Sequence, residues 1–333
     1  MKFDPATASL GPGIVANNFA DGVPRALAYR TAANSTTVYV AQGRGGPQVQ
    51  PLLGEAFSID SSAKLIPLPG NPFLAGSNAY SVAMHPSGNF VYFSQSIVFN
   101  DGGGIAGYGL GANGVPQPLA GSPFSKDSGS AMVIDPQGRF LFAMGNTEVY
   151  RFPVAANGTL GSPTVTTVSS SVNLSRCFNC LQASPDGKYL YAASGDTIAV
   201  LRIDAQTGTL SPVAGSPYSA GGQIASFAMS SDGNFLFASD CCTNKIQVFA
   251  TNRGTTGILT PAISIVPTGA APHALATQGH FVFVGTRISQ SIFTGSIVTG
   301  SISVYALDSS TGILTLKGNF PTPVGPETII AIP

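Results

Sequence analysis

A segment of about fifty residues recurs along this 333-residue chain, and that internal repeat constrains its fold more than any other feature. Each copy contains a short apolar stretch, a turn with Pro or Ser followed by Gly, and a strand with alternating aromatic residues. Four clear copies are SVAMHPSGNFVYFSQS (81–96), AMVIDPQGRFLFAMGN (131–146), LQASPDGKYLYAASGD (181–196) and FAMSSDGNFLFASD (227–240), and weaker copies span 27–43 and 275–286. A repeat of this length predicts equivalent units that bury their apolar faces against their neighbours.

The strand after each turn carries aromatic residues two positions apart, as in Phe90 and Tyr92 or Phe235 and Phe237. A period of two places both rings on one face of a strand. The residues between the rings, such as Val91 and Leu236, are also apolar. We therefore expect both faces of this strand to be buried between neighbouring sheets.

A second pattern follows each copy, in which a strand ends in Asp and continues through Thr-Gly to Leu. It is clearest in LRIDAQTGTL (201–210) and YALDSSTGIL (305–314), and exits of the type GNPF (70–73), GSPF (121–124) and GSPY (215–218) come after it. The Asp carboxylate can cap the turn, and Gly supplies a positive φ. With four strands per repeat and no helical periodicity, the sequence predicts an all-β fold, a seven-bladed β-propeller of four-stranded antiparallel blades forming a single domain over 1–333.

The two ends of the chain align with different parts of a blade. Residues 3–10 match 203–210 without a gap, and residues 327–333 match the inner strand that ends at Pro86 or Pro136. We therefore expect the ring to close by pairing of the N- and C-terminal segments, in a blade shared between about 1–20 and 325–333. Residues 329–332 would form its innermost strand, because sharing a blade leaves no free sheet edge at the seam.

The motifs PxGxxLYxA, apolar-x-apolar-DxxTGxL and GSPF together resemble the lactonase-type propeller family, which includes phosphogluconolactonase-like and carboxymuconate-cyclising proteins. The resemblance extends over nearly the whole chain and rests on structural residues. It implies a small lactone or sugar-acid substrate at the top of a central channel. It also implies a Gly-Pro-Arg-His pattern at the entry to an inner strand, which is split here between Pro24-Arg25 and Pro272-His273.

The candidate catalytic residues lie in loops expected on one face of the ring, between the second and third strands and between blades. They are His273, Arg25, Arg176 and Arg287. Arginine can bind a carboxylate or phosphate through two hydrogen bonds, and histidine can act as an acid or a base. His85 and His280 occupy turns on the opposite face, where we expect structural roles. The acidic residue that the family offers after a second strand has no clear match, since Gln42, Gln95, Asn146 and Asp240 stand at those positions.

The cysteines form two groups, Cys177 with Cys180 and Cys241 with Cys242. Both groups lie in loops on the candidate face of adjacent blades. We expect disulfides, either within each pair or between the two loops. Free thiols and a four-thiolate zinc site are the alternatives, although paired knuckles of ordinary spacing are missing. The sequence predicts no resident metal and no cofactor.

Charge and hydropathy limit the classes of partner that this chain can bind. Charged residues make up 9% of the chain against a usual figure of about 25%, and fifteen basic residues balance fifteen acidic ones. A nucleic-acid partner would require a basic stripe, and membrane insertion a long apolar run, and neither is present. Low charge and paired cysteines favour an extracytoplasmic location, periplasmic or secreted, with the leader absent from this chain.

Two functions remain open from the sequence. The first is hydrolysis or formation of a small lactone, with the arginines binding a small anionic or sugar-like ligand and His273 moving the proton. This hypothesis requires His273 to converge with the arginines. The second is a non-catalytic extracytoplasmic propeller that serves as a binding or interaction scaffold.

Overall fold

The fold is seen in a computed structural model that describes residues 1–12, 22–32, 35–44, 53–75, 79–95, 104–125, 131–145, 147–168, 179–252, 254, 256–261, 263–288, 299–323 and 325–332. These residues form six antiparallel sheets and a two-stranded hairpin. The chain is therefore an all-β propeller with four-stranded antiparallel blades. Within the described ranges, no helix has the length and hydrophobicity to cross a membrane.

Each sheet follows the chain from its first strand outward, and short extra strands join the first and fourth sheets. The hairpin is β1 (Phe3–Asp4) and β2 (Ser9–Leu10). The first sheet contains β3 (Gly22–Ala32), β4 (Ser35–Arg44), β5 (Leu53–Ile59), β6 (Leu65–Pro67) and β7 (Phe73–Leu74). The second contains β8 (Ala79–Met84), β9 (Phe90–Gln95), β10 (Gly104–Leu110) and β11 (Pro116–Pro118). The third contains β12 (Met132–Ile134), β13 (Phe140–Met144), β14 (Glu148–Pro153) and β15 (Thr164–Thr167).

The remaining sheets repeat this order. The fourth contains β16 (Leu181–Ala183), β17 (Tyr189–Ser194), β18 (Thr197–Ile203), β19 (Leu210–Pro212) and β20 (Tyr218–Ser219). The fifth contains β21 (Ile224–Met229), β22 (Phe235–Asp240), β23 (Lys245–Ala250) and β24 (Ser264–Pro267). The sixth contains β25 (Ala271–Gln278), β26 (Phe281–Ile288), β27 (Thr299–Leu307) and β28 (Leu314–Thr322).

The chain divides into two compact units. One comprises Met1–Ile14, Ser184–Arg202 and Pro212–Pro333, and the other Val15–Ala183 and Ile203–Ser211. In the second unit, β3 contacts β8, and β8 contacts β12. In the first unit, β21 contacts β25. First strands of successive sheets thus lie side by side within each unit, as they do in adjacent propeller blades.

Successive sheets interlock through the aromatic strand of one and the Asp-Thr-Gly turn of the next. Tyr92 donates a buried hydrogen bond of 2.7 Å from its hydroxyl to the carbonyl of Gly158. At Gly208, where φ is +69°, a methyl group would lie 2.8 Å from the ring of Phe140. Glycine is therefore required at this turn both for its backbone angle and for the approach of the ring. The repeat joins neighbouring sheets as well as folding each one.

The hairpin β1–β2 forms the same kind of turn. The side chain of Asp4 accepts hydrogen bonds from the amide of Ala6 at 3.0 Å and the hydroxyl of Thr7 at 2.8 Å. Ala8 takes the place of the turn glycine, with a φ of +51°, and is buried. It belongs to an apolar cluster with Phe281 of the sixth sheet.

The C-terminal segment packs against this same cluster through Ile329 and Ala331. Gln278 donates a side-chain hydrogen bond of 3.2 Å to the carbonyl oxygen of Ile332. Residues 325–332 are described without regular strand structure, so the strand expected at 329–332 is not formed there. Pairing of the two termini into one closing blade stays a prediction.

Candidate active site

Four of the first strands carry the same irregularity near their beginning. The register shifts by one residue between Pro24 and Ala26, Ala79 and Ser81, Ile224 and Ser226, and Pro272 and Ala274. The extra residues are Arg25, Tyr80, Ala225 and His273. A β-bulge redirects the side chain of its extra residue, and bulges are common beside active sites. Two of the four predicted catalytic residues therefore occupy equivalent bulges.

His273 lies within β25, and Arg287 lies in β26, so both are held by strands rather than by the loops expected from sequence. Ala271 is the direct cross-strand partner of Arg287, which places His273 diagonally from the arginine. Positions fixed by a hydrogen-bonded ladder hold side chains more precisely than a loop does. The sixth sheet thus brings together two of the residues that the sequence singled out.

Glu327 completes this group, and sequence reasoning did not identify it. Its Oε1 lies 2.8 Å from the Nη1 of Arg287, in a pair that is only about a quarter exposed on each side. A methyl group at Gly285 would lie 2.8 Å from Ile329 and 3.0 Å from Pro326, so this glycine lets the C-terminal segment approach β26 closely. The alignment of 327–333 with an inner strand could have found it, because that alignment superposes Glu327 on the bulge residue Tyr80.

Burial lowers the pKa of His273 below its ordinary value of 6.5. The positive charge of Arg287 also lowers it, whereas the negative charge of Glu327 raises it. The imidazole is therefore neutral at pH 7 and able to accept a proton. An ion pair and a neutral imidazole at one sheet end can hold an anionic group and move a proton.

The positions of the other two predicted catalytic residues relative to this cluster stay predictions. Arg25 belongs to the other compact unit, where its side chain packs over Gly43, and its convergence with His273 stays a prediction. Arg176 lies outside the described residues.

The histidines expected to be structural lie at turns. His85 Nε2 contacts the carbonyl of Gly138 at 2.9 Å, and the His280 ring packs 4.4 Å from that of Phe281.

Asp240 ends the second strand of the fifth sheet, where the family would offer an acid. Its carboxylate is buried and accepts hydrogen bonds from the amide of Cys242 at 3.0 Å and of Thr243 at 3.1 Å, and from the Thr243 hydroxyl. These bonds cap the hairpin loop that follows. Asp240 is thus a structural residue of that loop.

The expectation of disulfides is wrong for Cys241 and Cys242, which are free thiols. Their Sγ atoms lie 3.8 Å apart, well beyond a disulfide bond of about 2.05 Å. Cys180 is fully buried and is disulfide-bonded. Cys177 lies outside the described residues. In the described part of the chain, no group of three or more His, Cys, Asp or Glu residues could hold a metal ion.

The repeat and the fold have counterparts among known proteins. Residues 164–272 match the family described as lactonase, 7-bladed β-propeller. No curated protein matches the chain significantly. A candidate 6-phosphogluconolactonase of Bacteroides fragilis superposes with a TM-score of 0.73 at 21% identity, covering 98% of this chain and 91% of that one.

Two further structures show how widely the fold is shared. The periplasmic gluconolactonase of Pseudomonas aeruginosa gives a TM-score of 0.73 at 19% identity, covering 97% of this chain and 91% of that one. The Swd1 β-propeller domain of Myceliophteria thermophila gives 0.63 at 11% identity, covering 96% and 92%. Identities this low establish the fold alone. The chain thus shares the β-propeller fold of these proteins, and its residues 164–272 match the lactonase family.

Proposed function

We propose that this protein is a hydrolase that opens a small lactone, of the sugar-acid type, at the site formed by His273, Arg287 and Glu327. The observation that carries the proposal is a histidine on a β-bulge, with a pKa lowered by burial, beside an ion pair that is only about a quarter exposed. A general base must be unprotonated at the working pH, and the lowered pKa of His273 meets that requirement.

In the proposed reaction, His273 accepts a proton from water while the water oxygen bonds to the lactone carbonyl carbon. The carbonyl π electrons move onto oxygen, and the guanidinium of Arg287 stabilises the resulting negative charge. The ring carbon–oxygen bond then breaks, and the imidazolium returns its proton to the departing alkoxide. The net result is lactone plus water giving the hydroxy acid, with His273 restored.

Glu327 has a positioning role in this scheme. It contacts Nη1 of Arg287, and arginine carries five donors in a planar fork, so we assign the other guanidinium N–H groups to the ligand. Arg25 and Arg176 are proposed as further cations for a carboxylate or phosphate on the substrate. The bulge position of Arg25, equivalent to that of His273, supports this role.

The test is hydrolysis of a panel of sugar-acid and aromatic lactones, followed by titration of the acid released. We expect His273→Asn to lower kcat/KM by about 10²–10⁴-fold, the usual contribution of a general base. The matched control is His280→Asn, a histidine of the same sheet at the opposite end of its strands, which should change kcat/KM less than about twofold. Absence of turnover across the panel, or full activity of His273→Asn, would contradict the proposal.

We also propose an extracytoplasmic location. The disulfide-bonded state of Cys180 supports it, since disulfides persist mainly in oxidising compartments. The structurally similar gluconolactonase of Pseudomonas aeruginosa is described as periplasmic. Fractionation of the source cells, with non-reducing mass spectrometry of the recovered protein, tests this. Recovery in the cytoplasm with four alkylatable thiols would contradict it.

We further propose seven blades, the last shared between the N-terminal hairpin and the C-terminal segment. Phe3 packs edge-on against Phe281 at 4.9 Å and Phe283 at 4.8 Å, in the cluster that also takes Ile329. We expect Phe3→Ala to cost about 2 kcal/mol of unfolding free energy, less than for a fully buried ring, and exposed Lys2→Ala less than about 0.5 kcal/mol. A double-mutant cycle of Phe3→Ala with Ile329→Ala should show coupling above about 0.5 kcal/mol. Simple additivity would argue against a shared blade.

A further inference from the structure

We propose that the hairpin loop between β22 and β23 binds a thiophilic d¹⁰ divalent cation of the Zn²⁺ class through Cys241 and Cys242. The two Sγ atoms are 3.8 Å apart. Two thiolates bound to a tetrahedral ion at metal–sulfur distances of about 2.3 Å are themselves about 3.8 Å apart. The free thiols thus already stand at the spacing that this ion requires, without a change in the loop.

Gln223 supplies oxygen donors beside both sulfurs. Its side-chain Oε1 lies 3.1 Å from the Sγ of Cys242, and its carbonyl oxygen lies 3.8 Å from the Sγ of Cys241. In the absence of an ion, these two oxygens accept hydrogen bonds from the thiols. Once an ion displaces the thiol protons to solvent, the amide oxygen is placed to become a third ligand, with water as the fourth. Three protein ligands and one open position are the arrangement of exchangeable or catalytic zinc sites.

Asp240 and the close packing at Gly222 hold the loop in place. The buried carboxylate of Asp240 fixes the backbone of Cys242 and Thr243, and a methyl group at Gly222 would overlap that carboxylate. Asp240 also adds a negative charge close to the proposed cation, while Lys245 opposite it on β23 is exposed.

The experiment titrates the chelator-treated protein with Cd²⁺ in the absence of reductant, so that the disulfide of Cys180 stays closed while Cys241 and Cys242 are free thiols. It follows the ultraviolet thiolate-to-cadmium charge-transfer band and then displaces Cd²⁺ with Zn²⁺. The chain has no tryptophan, which keeps the absorbance background low. We expect one ion per chain. Cys241→Ser/Cys242→Ser should remove the band and weaken Zn²⁺ binding by at least about 100-fold, the upper end of what loss of a supporting residue costs.

Gln223 provides a second, independent readout. Gln223→Ala should weaken binding by about 10-fold, whereas Gln223→Glu should retain it, because a carboxylate oxygen replaces the amide oxygen. The matched control is Asn244→Gly, in the same loop, at a residue with a φ of +57°. This change removes no proposed ligand of the ion, so the variant should bind it as the parent protein does. A band that persists in the double serine variant, or no band in a parent protein with both thiols reduced, would overturn the proposal.

Discussion

The fifth and sixth sheets share a β-bulge near the start of their first strands but present different side chains there. In the fifth sheet the bulge residue is Ala225, and β22 ends in Asp240 followed by Cys241. In the sixth sheet the bulge residue is His273. Arg287, on β26, occupies the position that corresponds to Cys241 in the fifth sheet. One sheet end therefore holds an imidazole and an ion pair, and the other a capped loop with two thiols.

This difference shows that the repeat determines where side chains are presented and not what they do. The bulge recurs because the pairing of the first and second strands recurs. The C-terminal segment then adds Glu327 to the sixth sheet, and Gln223 lies beside the two thiols of the fifth. Function in such a fold is set by a few side chains at equivalent positions and by the segments that cover them.

The largest expected effect concerns the charge at the sixth sheet. Arg287→Gln should lower kcat/KM for the best lactone by about 10²–10³-fold, because it removes a donor aimed at developing negative charge. Glu327→Gln should cost less, about 10-fold, since it acts through the arginine. Steady-state kinetics of both variants and of the double variant provide the check. If Glu327 only positions Arg287, the double variant should be no slower than Arg287→Gln, and additive losses would contradict that role.

The next effect concerns the rigidity of the fifth sheet. A methyl group at Gly222 would lie 2.6 Å from the carboxylate carbon of Asp240, whose side chain is fully committed to the loop. Gly222→Ala should therefore lower the unfolding free energy by about 2–4 kcal/mol through overpacking and loss of the cap. Urea denaturation measures it. Gly269→Ala is the matched control, with open space around the added methyl, and should be neutral or stabilising by up to about 1 kcal/mol. Equal effects at both glycines would show that the loop tolerates movement.

The sheets were largely predictable from the sequence, because strand alternation and turn chemistry are local. The hairpin of residues 3–10 was found from its match to 203–210, down to Ala8 in the glycine position. The strand at 329–332 was not confirmed, since strand pairing depends on a partner as well as on the segment itself. The sequence singled out His273 and Arg287 but placed both in loops, whereas the structure places them on the paired strands β25 and β26.

The remaining parts of the site depend on tertiary pairing. The four bulge residues, Arg25, Tyr80, Ala225 and His273, share no residue type, so no local pattern marks them. Glu327 reaches Arg287 only because Gly285 lets the C-terminal segment approach. The thiol state of Cys241 and Cys242 is set by loop geometry, and the spacing of cysteines in a sequence does not report an S–S distance of 3.8 Å.

The smallest expected effect is on the pH dependence of folding stability. His273 can contribute to it because it titrates, whereas its counterpart in the fifth sheet, Ala225, cannot. The pKa of His273 is lower in the folded protein than the usual 6.5 of an unfolded chain. Between those two pKa values the unfolded state binds more protons than the folded state. The contribution of His273 to the free energy of unfolding is therefore fully present above pH 6.5 and is lost as the pH falls. Urea unfolding from pH 7.5 down to 5 should show a shallower loss in His273→Gln than in the parent protein. Arg287→Gln should raise the pKa of His273 and flatten the loss, whereas Glu327→Gln should lower it and steepen the loss, because the two charges act in opposite directions. Identical pH profiles for all four proteins would place His273 outside the influence of the ion pair and would remove the electrostatic basis for a neutral base at this sheet.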